Sequence, residues 1–247
     1  MRENLDIEKL WNDVDALITT HISEPRASKL KSMYEKLAEK LMTAPASSHA
    51  DRHNCFAGGY IDHIVRVTNN AIKLYDFWTQ AGANTSTYSL EEVVFSALNH
   101  DLGKIGTDEF DYYVPNDSSW HRERGQIYKL NPQIHYMKVP DRSIYMLQKH
   151  GVPVTEQEYL AIKLHDGMYA KGNEGYFMTV SADLALKTTL PLLLHHADHL
   201  STLVEENMQH GTKTTTTKVK SPVNKVNNPV ADANLKNIFD DLFGNAI

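Results

Sequence analysis

The stretch SLEEVVFSALNHDLGK, residues 89–104, decides most of the reading. Ser89 followed by Glu92 is a capping-box pattern, in which a hydroxyl and a carboxylate satisfy each other's backbone amides where a helix starts. An apolar run follows, and Gly103 is expected to close the helix. His100 and Asp101 fall at its C-terminal end. A carboxylate there opposes the helix dipole, so the position asks for a cation.

Helical periodicity continues outward in both directions. Residues 4–22 place Leu5, Leu10, Trp11, Val14, Leu17 and Ile18 at three- and four-residue spacing. Residues 27–42 repeat the pattern with Leu30, Met33, Leu37 and Leu41, between Pro25 and Pro45. Gly58 and Gly59 open a longer predicted helix over 60–78. Downstream, helices are predicted over 141–150, over 155–166 behind a second capping box at Thr155 and Glu158, and over 181–208. Residues 103–139, rich in Tyr, Asn, Asp, Pro and Trp, read as a long irregular excursion, and loops of that length are usually functional. Residues 211–230, GTKTTTTKVKSPVNKVNNPV, are a polar linker with little to bury. The last stretch, ADANLKNIFDDLFGNAI, is expected to form a short amphipathic helix through Leu235, Ile238, Phe239 and Leu242. Strand signals are scarce. The expectation is an all-α chain: N-terminal helices in 1–49 packed on a main domain at 50–210, a linker at 211–230 and a tethered helix at 231–247.

Composition narrows the class. The chain has 247 residues, with 25 basic and 31 acidic side chains and a formal net charge of -6. It lacks an apolar run of about 18 residues, so no membrane span is expected. Its N-terminus, MRENLDIEKLWNDV, has acidic residues where a signal peptide needs basic and then apolar ones. A single cysteine, Cys55, excludes an internal disulfide and a cysteine-built zinc site and fits a reducing cytoplasm. The acidic balance argues against a generally basic nucleic-acid binder while leaving room for a local patch. Histidine is abundant, at 13 residues, several of them beside aspartate.

Four points draw those histidines together: His63 in GGYIDHIVRV, His100 and Asp101 in SALNHDLGK, His165 and Asp166 in LAIKLHDGMY, and His195, His196, Asp198 and His199 in LLLHHADHLS. Each lies in or at the end of a predicted helix beside apolar residues. Taken singly, His63 is an ordinary hydrogen-bonded core histidine, and His195, His196 and His199 are a solvated face. Taken jointly, the set is more specific. Imidazoles and carboxylates beside a core must be paired or metal-bound, and one divalent cation satisfies several at once.

The order H…HD…D, in the local forms GGYIDH, ALNHDLGK and HHADHL, resembles the HD-domain superfamily of metal-dependent phosphohydrolases over residues 50–205. The resemblance implies an all-helical HD bundle with His63, His100, Asp101 and Asp198 as core metal ligands. Some HD proteins hold two metals and use two further histidines. His165 fits the second of these; at the first, before VPDRSIYML, Val139 and Pro140 occupy the site, leaving His135 upstream or His150 downstream.

The implied function is hydrolysis of a nucleotide or related phosphate ester by metal-activated water, with Asp101, Lys104 and His165 as catalytic residues. A divalent ion (Mn, Fe, Co, Ni, Zn or Mg) would be the cofactor. Lys104, Arg66 and Arg142 are candidates to bind phosphoryl oxygens. Asp166 is a candidate to activate water or to orient His165. The excursion holds Tyr112, Tyr113, Trp120, His121, Arg122, Arg124 and Tyr128, where aromatic and Arg side chains can clamp a base and its phosphates. Two alternatives stay open. One is a 3′–5′ exonuclease on single-stranded RNA or DNA, toward which Lys213, Lys218, Lys220 and Lys225 point. The other is a di-iron oxygenase, which needs the complete six-ligand set. The expected partner is a small phosphate ester rather than a membrane, and the C-terminal helix offers a route to a homo-oligomer.

Overall fold

The helices begin where the sequence supplies caps. The computed structural model describes residues 5–178 and 181–210. Helix α1 (Ile7–His21) starts with the Asp6 carboxylate accepting from the Lys9 amide at 2.8 Å, and turns Ile7, Leu10, Val14 and Ile18 inward. The helix expected over 27–42 is two helices, α2 (Arg26–Lys36) and α3 (Ala38–Thr43), because the chain leaves helical geometry at Leu37. Helix α4 (Gly59–Gln80) follows Gly58, whose φ of 82° lies in the left-handed region. That conformation favours glycine, and a side chain there would in addition push the tips of Ile7 and Leu5 aside. Helix α5 (Leu90–Asn99) carries the complete Ser89/Glu92 capping box.

Helix α5 stops at Asn99 rather than at Gly103, which sits in a 3₁₀ turn over Leu102–Ile105. Gly103 is there for proximity: a β-carbon on it would collide with the Val139 carbonyl and the Arg142 side chain. The excursion beyond is partly ordered. Strands β1 (Tyr113–Pro115) and β2 (Tyr128–Leu130) pair antiparallel around the short helix α6 (Ser119–Glu123). Three residues per strand are too few for alternation to show in a sequence.

Helix α7 (Val139–Lys149) and helix α8 (Glu156–Leu164) follow, the latter with the Thr155/Glu158 capping box intact. After a 3₁₀ turn at Gly167–Tyr169, helix α9 (Glu174–Phe177) and a second turn at Ala182–Leu184, helix α10 (Leu190–His210) closes the described chain. It begins nine residues later than expected. Pro191 lacks an N–H and is tolerated only in a first helical turn, so the helix cannot run through it from 181.

The described residues are thus mostly helical. One buried cluster joins Ile7, Val14, Leu30 and Leu41 to Ile61, Ile64, Phe95 and Leu98, so α1–α3 share a core with α4 and α5. A second cluster, including Val67, Ala71, Val93, Ala97, Leu193 and Leu194, locks α4 and α5 to α10. Helix α4 lies between α5 and α10, and α8 packs on both of them. The start of α4, the ends of α5 and α8 and the middle of α10 converge, which places the histidines. No helix among the described residues is long and apolar enough to cross a membrane. The expected linker at 211–230 and helix at 231–247, with any role in assembly, lie outside the described residues.

Candidate metal centre

Each helix delivers its residue to one point. His63 comes from the first turns of α4, His100 and Asp101 from the end of α5, His165 from the end of α8, and Asp198 from the middle of α10. The three histidines and Asp101 are buried. His63 Nε2 is 3.2 Å from Asp198 Oδ1 and 3.6 Å from Asp101 Oδ2. His100 Nε2 is 3.4 Å from Asp101 Oδ2 and 3.9 Å from Asp198 Oδ1. His165 Nε2 is 3.7 Å from Asp101 Oδ1.

The far side of each ring is anchored. His100 Nδ1 donates to the Ala97 carbonyl and His165 Nδ1 to the Ile162 carbonyl, both at 2.8 Å. A carbonyl only accepts, so each Nδ1 carries the proton and a neutral ring offers an Nε2 lone pair inward. His63 Nδ1 lies 2.9 Å from Glu205 Oε2, and Glu205 Oε1 in turn accepts from Arg66 Nε at 3.0 Å. Ring nitrogens bonded outward to a carbonyl or carboxylate are the usual backing of metal-ligating histidines.

Two of these inward nitrogens, His63 Nε2 and His100 Nε2, are buried and make no well-formed hydrogen bond among the described residues, with carboxylate oxygens standing 3.2–3.9 Å away. Leaving such groups unmade is costly, and a cation satisfies both. The ligand atoms of His63, His100 and Asp198 lie within 4.8 Å of one another, as do those of His100, Asp101 and His165. The donor set, imidazole plus carboxylate, fits a divalent first-row ion.

Charge follows the same geometry. Burial alone would lower His63, but the Glu205 and Asp198 carboxylates outweigh it and lift its pKa to about 10. Burial opposes ionisation of Asp101, yet Lys104 and His100 hold its carboxyl well below the usual range. Lys104 Nζ lies 2.6 Å from Asp101 Oδ2. Thus protons and an ammonium supply the positive charge that these carboxylates demand.

The centre floors a cleft of about 1270 Å³ bordered by Lys104, Tyr112, Tyr113, Asp166, His195 and His199. Not every expected residue reaches it. His135 is exposed and belongs to none of the ligand groups; its carbonyl accepts from Arg142 Nη2 at 2.6 Å. His150, the other candidate for that place, pairs with Asp108 at 2.8 Å instead. Arg142 is buried, with its guanidinium 5.7 Å from the Tyr112 ring centre, and does not line the cleft. Arg66 is held by Glu205 and Asp62. Arg124 lies over Trp120, 3.5 Å from the ring centre, away from the centre. Asp166 is near His165, at 3.6 Å, but the His165 ring is oriented by Ile162.

Sequence reading missed two residues, His53 and Glu205, and placed a third, His195, on a solvated face. His53 borders the cleft with its ring 4.7 Å from that of His63; burial, then His63 and Lys104, push its pKa down to about 2, so it is neutral. It sits in the loop DRHNC, where no periodicity points to it. Glu205 is seven residues after Asp198, two turns along the same face of α10, and that spacing was its available signal. His195 donates from Nδ1 to the His165 carbonyl at 2.7 Å and bridges α10 to the end of α8. Set against known family models, curated proteins and solved structures, the chain gives no significant match.

Proposed function

We propose that this protein is a metal-dependent phosphohydrolase of the HD type, acting on a nucleotide or related phosphate ester. The observation that carries the reading is the pair of buried inward nitrogens, His63 Nε2 and His100 Nε2, which make no well-formed hydrogen bond and crowd against the Asp101 and Asp198 carboxylates below an open cleft. His63, His100, Asp101 and Asp198 would hold a divalent ion, and His165 together with His100 and Asp101 flanks a second position. Bound there, such an ion supplies Lewis acidity and a bound water that ionises near neutral pH.

The chain's own groups have separate tasks. Lys104, which lines the cleft and pairs with Asp101, would donate from Nζ to a phosphoryl oxygen. Asp166, at the cleft border with its side chain about half exposed, accepts a proton from the attacking water. Glu205 holds the His63 ring in its ligating orientation.

The test is elemental analysis of the purified chain, followed by a panel of phosphomonoesters, phosphodiesters and nucleotides with Mn, Co, Ni and Mg. Asp101→Ala should lose bound metal and at least about a hundredfold in hydrolysis while keeping a native helical circular-dichroism spectrum. Full hydrolysis by that variant overturns the reading.

A further inference from the structure

The wall of the cleft repeats one tripeptide. Tyr136-Met137-Lys138 enters from the segment leading into α7, and Tyr169-Ala170-Lys171 from the segment after α8; all six residues line the cleft. Lys138 Nζ donates to the Lys171 carbonyl at 2.9 Å, tying the two segments together. Tyr136 and Tyr169 are each 81% exposed, whereas the same chain buries Tyr34 and Tyr60 almost completely. One exposed ring needs no explanation, but two on one cleft, each two residues before a lysine, form a pattern. The aromatic surface continues inward, since the Tyr169 ring centre is 5.9 Å from His195 and 6.2 Å from His199, the residue beside Asp198.

We propose that the paired Tyr-x-Lys segments are a binding subsite for single-stranded nucleic acid, with bases stacked on Tyr136 and Tyr169 and backbone phosphates beside Lys138 and Lys171. Every base has a π-face, so aromatic platforms interleaved with cations hold a strand without reading its sequence. Size favours a strand over a single nucleotide: the cleft, at 1270 Å³, exceeds the roughly 300–1000 Å³ of pockets that enclose small ligands. Charge shapes the prediction further. The chain carries a net charge of -6, and Asp51, Asp166 and Glu206 also border the cleft. A polyanion is therefore not drawn in by the overall field; stacking carries the binding, and few phosphates are contacted. The proposal deepens the phosphoester reading by naming the substrate class, and it rests on that reading for what happens at the cleft floor.

Binding is read without hydrolysis. Fluorescence anisotropy of the full chain with labelled single-stranded DNA and RNA of about 12 nucleotides, in the presence of a chelator, supplies the affinity. Tyr136→Ala and Tyr169→Ala should each weaken binding about tenfold, and both rings are exposed enough to be removed without unfolding the chain. Replacing Lys138 and Lys171 together by Gln should reduce the slope of log affinity against log salt by about 1.4, the contribution of two phosphates in a single strand. A mononucleotide should compete about a hundredfold less well than the strand. The proposal is overturned if the unaltered chain binds neither strand, if the double tyrosine variant binds like the unaltered chain, or if a mononucleotide competes equally. Loss of strand binding with Asp101-dependent ester hydrolysis intact removes the subsite alone; tyrosine-dependent binding without any ester hydrolysis removes the hydrolase reading alone.

Discussion

Glu205 shows how one residue governs the centre from behind it. It is a buried carboxylate that receives His63 on one oxygen and Arg66 on the other. Arg66, which from sequence alone looks like a phosphate ligand one turn beyond His63, is therefore neutralising Glu205. The pair matters to a cation because a carboxylate behind an imidazole raises the basicity of its inward nitrogen. Glu205→Gln separates charge from geometry: the amide oxygen still accepts from His63 Nδ1, while the negative charge is gone. That variant should remain folded and bind added Mn about 10–100-fold more weakly than the unaltered chain by calorimetric titration. Undiminished affinity would show that Glu205 only fills space. His63, His100, Asp101 and Asp198 were readable because each stands in a helical apolar context that makes a polar side chain conspicuous. His53 was not, because a loop offers no periodicity against which to notice it.

At the scale of elements, the 3₁₀ turn after α5 is pinned to α7. Ser143 Oγ accepts from the Gly103 amide at 2.8 Å and lies 2.9 Å from the His100 carbonyl, so one hydroxyl links the ligand-bearing turn to the neighbouring helix. Ser143→Ala leaves the Gly103 N–H buried without an acceptor, at a cost of about 1–3 kcal/mol. Thermal melts should shift down by about 2–4 °C for each kcal/mol lost. An unshifted melting curve would rule out the hydroxyl as a structural link. The capping boxes at Ser89/Glu92 and Thr155/Glu158 were legible because capping is a local exchange of hydrogen bonds that four residues complete by themselves. The β1–β2 pairing was not, since three residues per strand leave no alternation to read. Arg142 illustrates another limit. In PDRS it reads as a phosphate ligand, yet tertiary structure gives it the His135 carbonyl and places it beside Tyr112.

Across the whole molecule, Asp108 joins the excursion to α2, far upstream in sequence, and to the end of α7 downstream. Its Oδ2 is 3.2 Å from Lys36 Nζ at the end of α2 and 3.2 Å from Lys149 Nζ at the end of α7, and its Oδ1 is 2.8 Å from His150 Nε2. Sequence reading offered His150 as a metal ligand because it lies just downstream of the place before VPDRSIYML that Val139 and Pro140 fill; folding turns the ring toward Asp108 instead. Burial opposes ionisation of Asp108, but hydrogen bonds from His150, Lys149 and Lys36 together outweigh it and bring its pKa down to about 2 from 3.8. A carboxylate depressed by folding contributes stability above its unfolded pKa and loses that contribution as pH falls through the folded one. Because solvent screens this cluster, the contribution is about 1 kcal/mol. Asp108→Asn should therefore melt about 2–4 °C below the unaltered chain at neutral pH. The gap should narrow to about half by pH 3, and added salt should narrow it further. Melting curves of the two proteins from pH 7 to pH 3 check this, and a gap that stays constant across the series would show that Asp108 acts through something other than its charge.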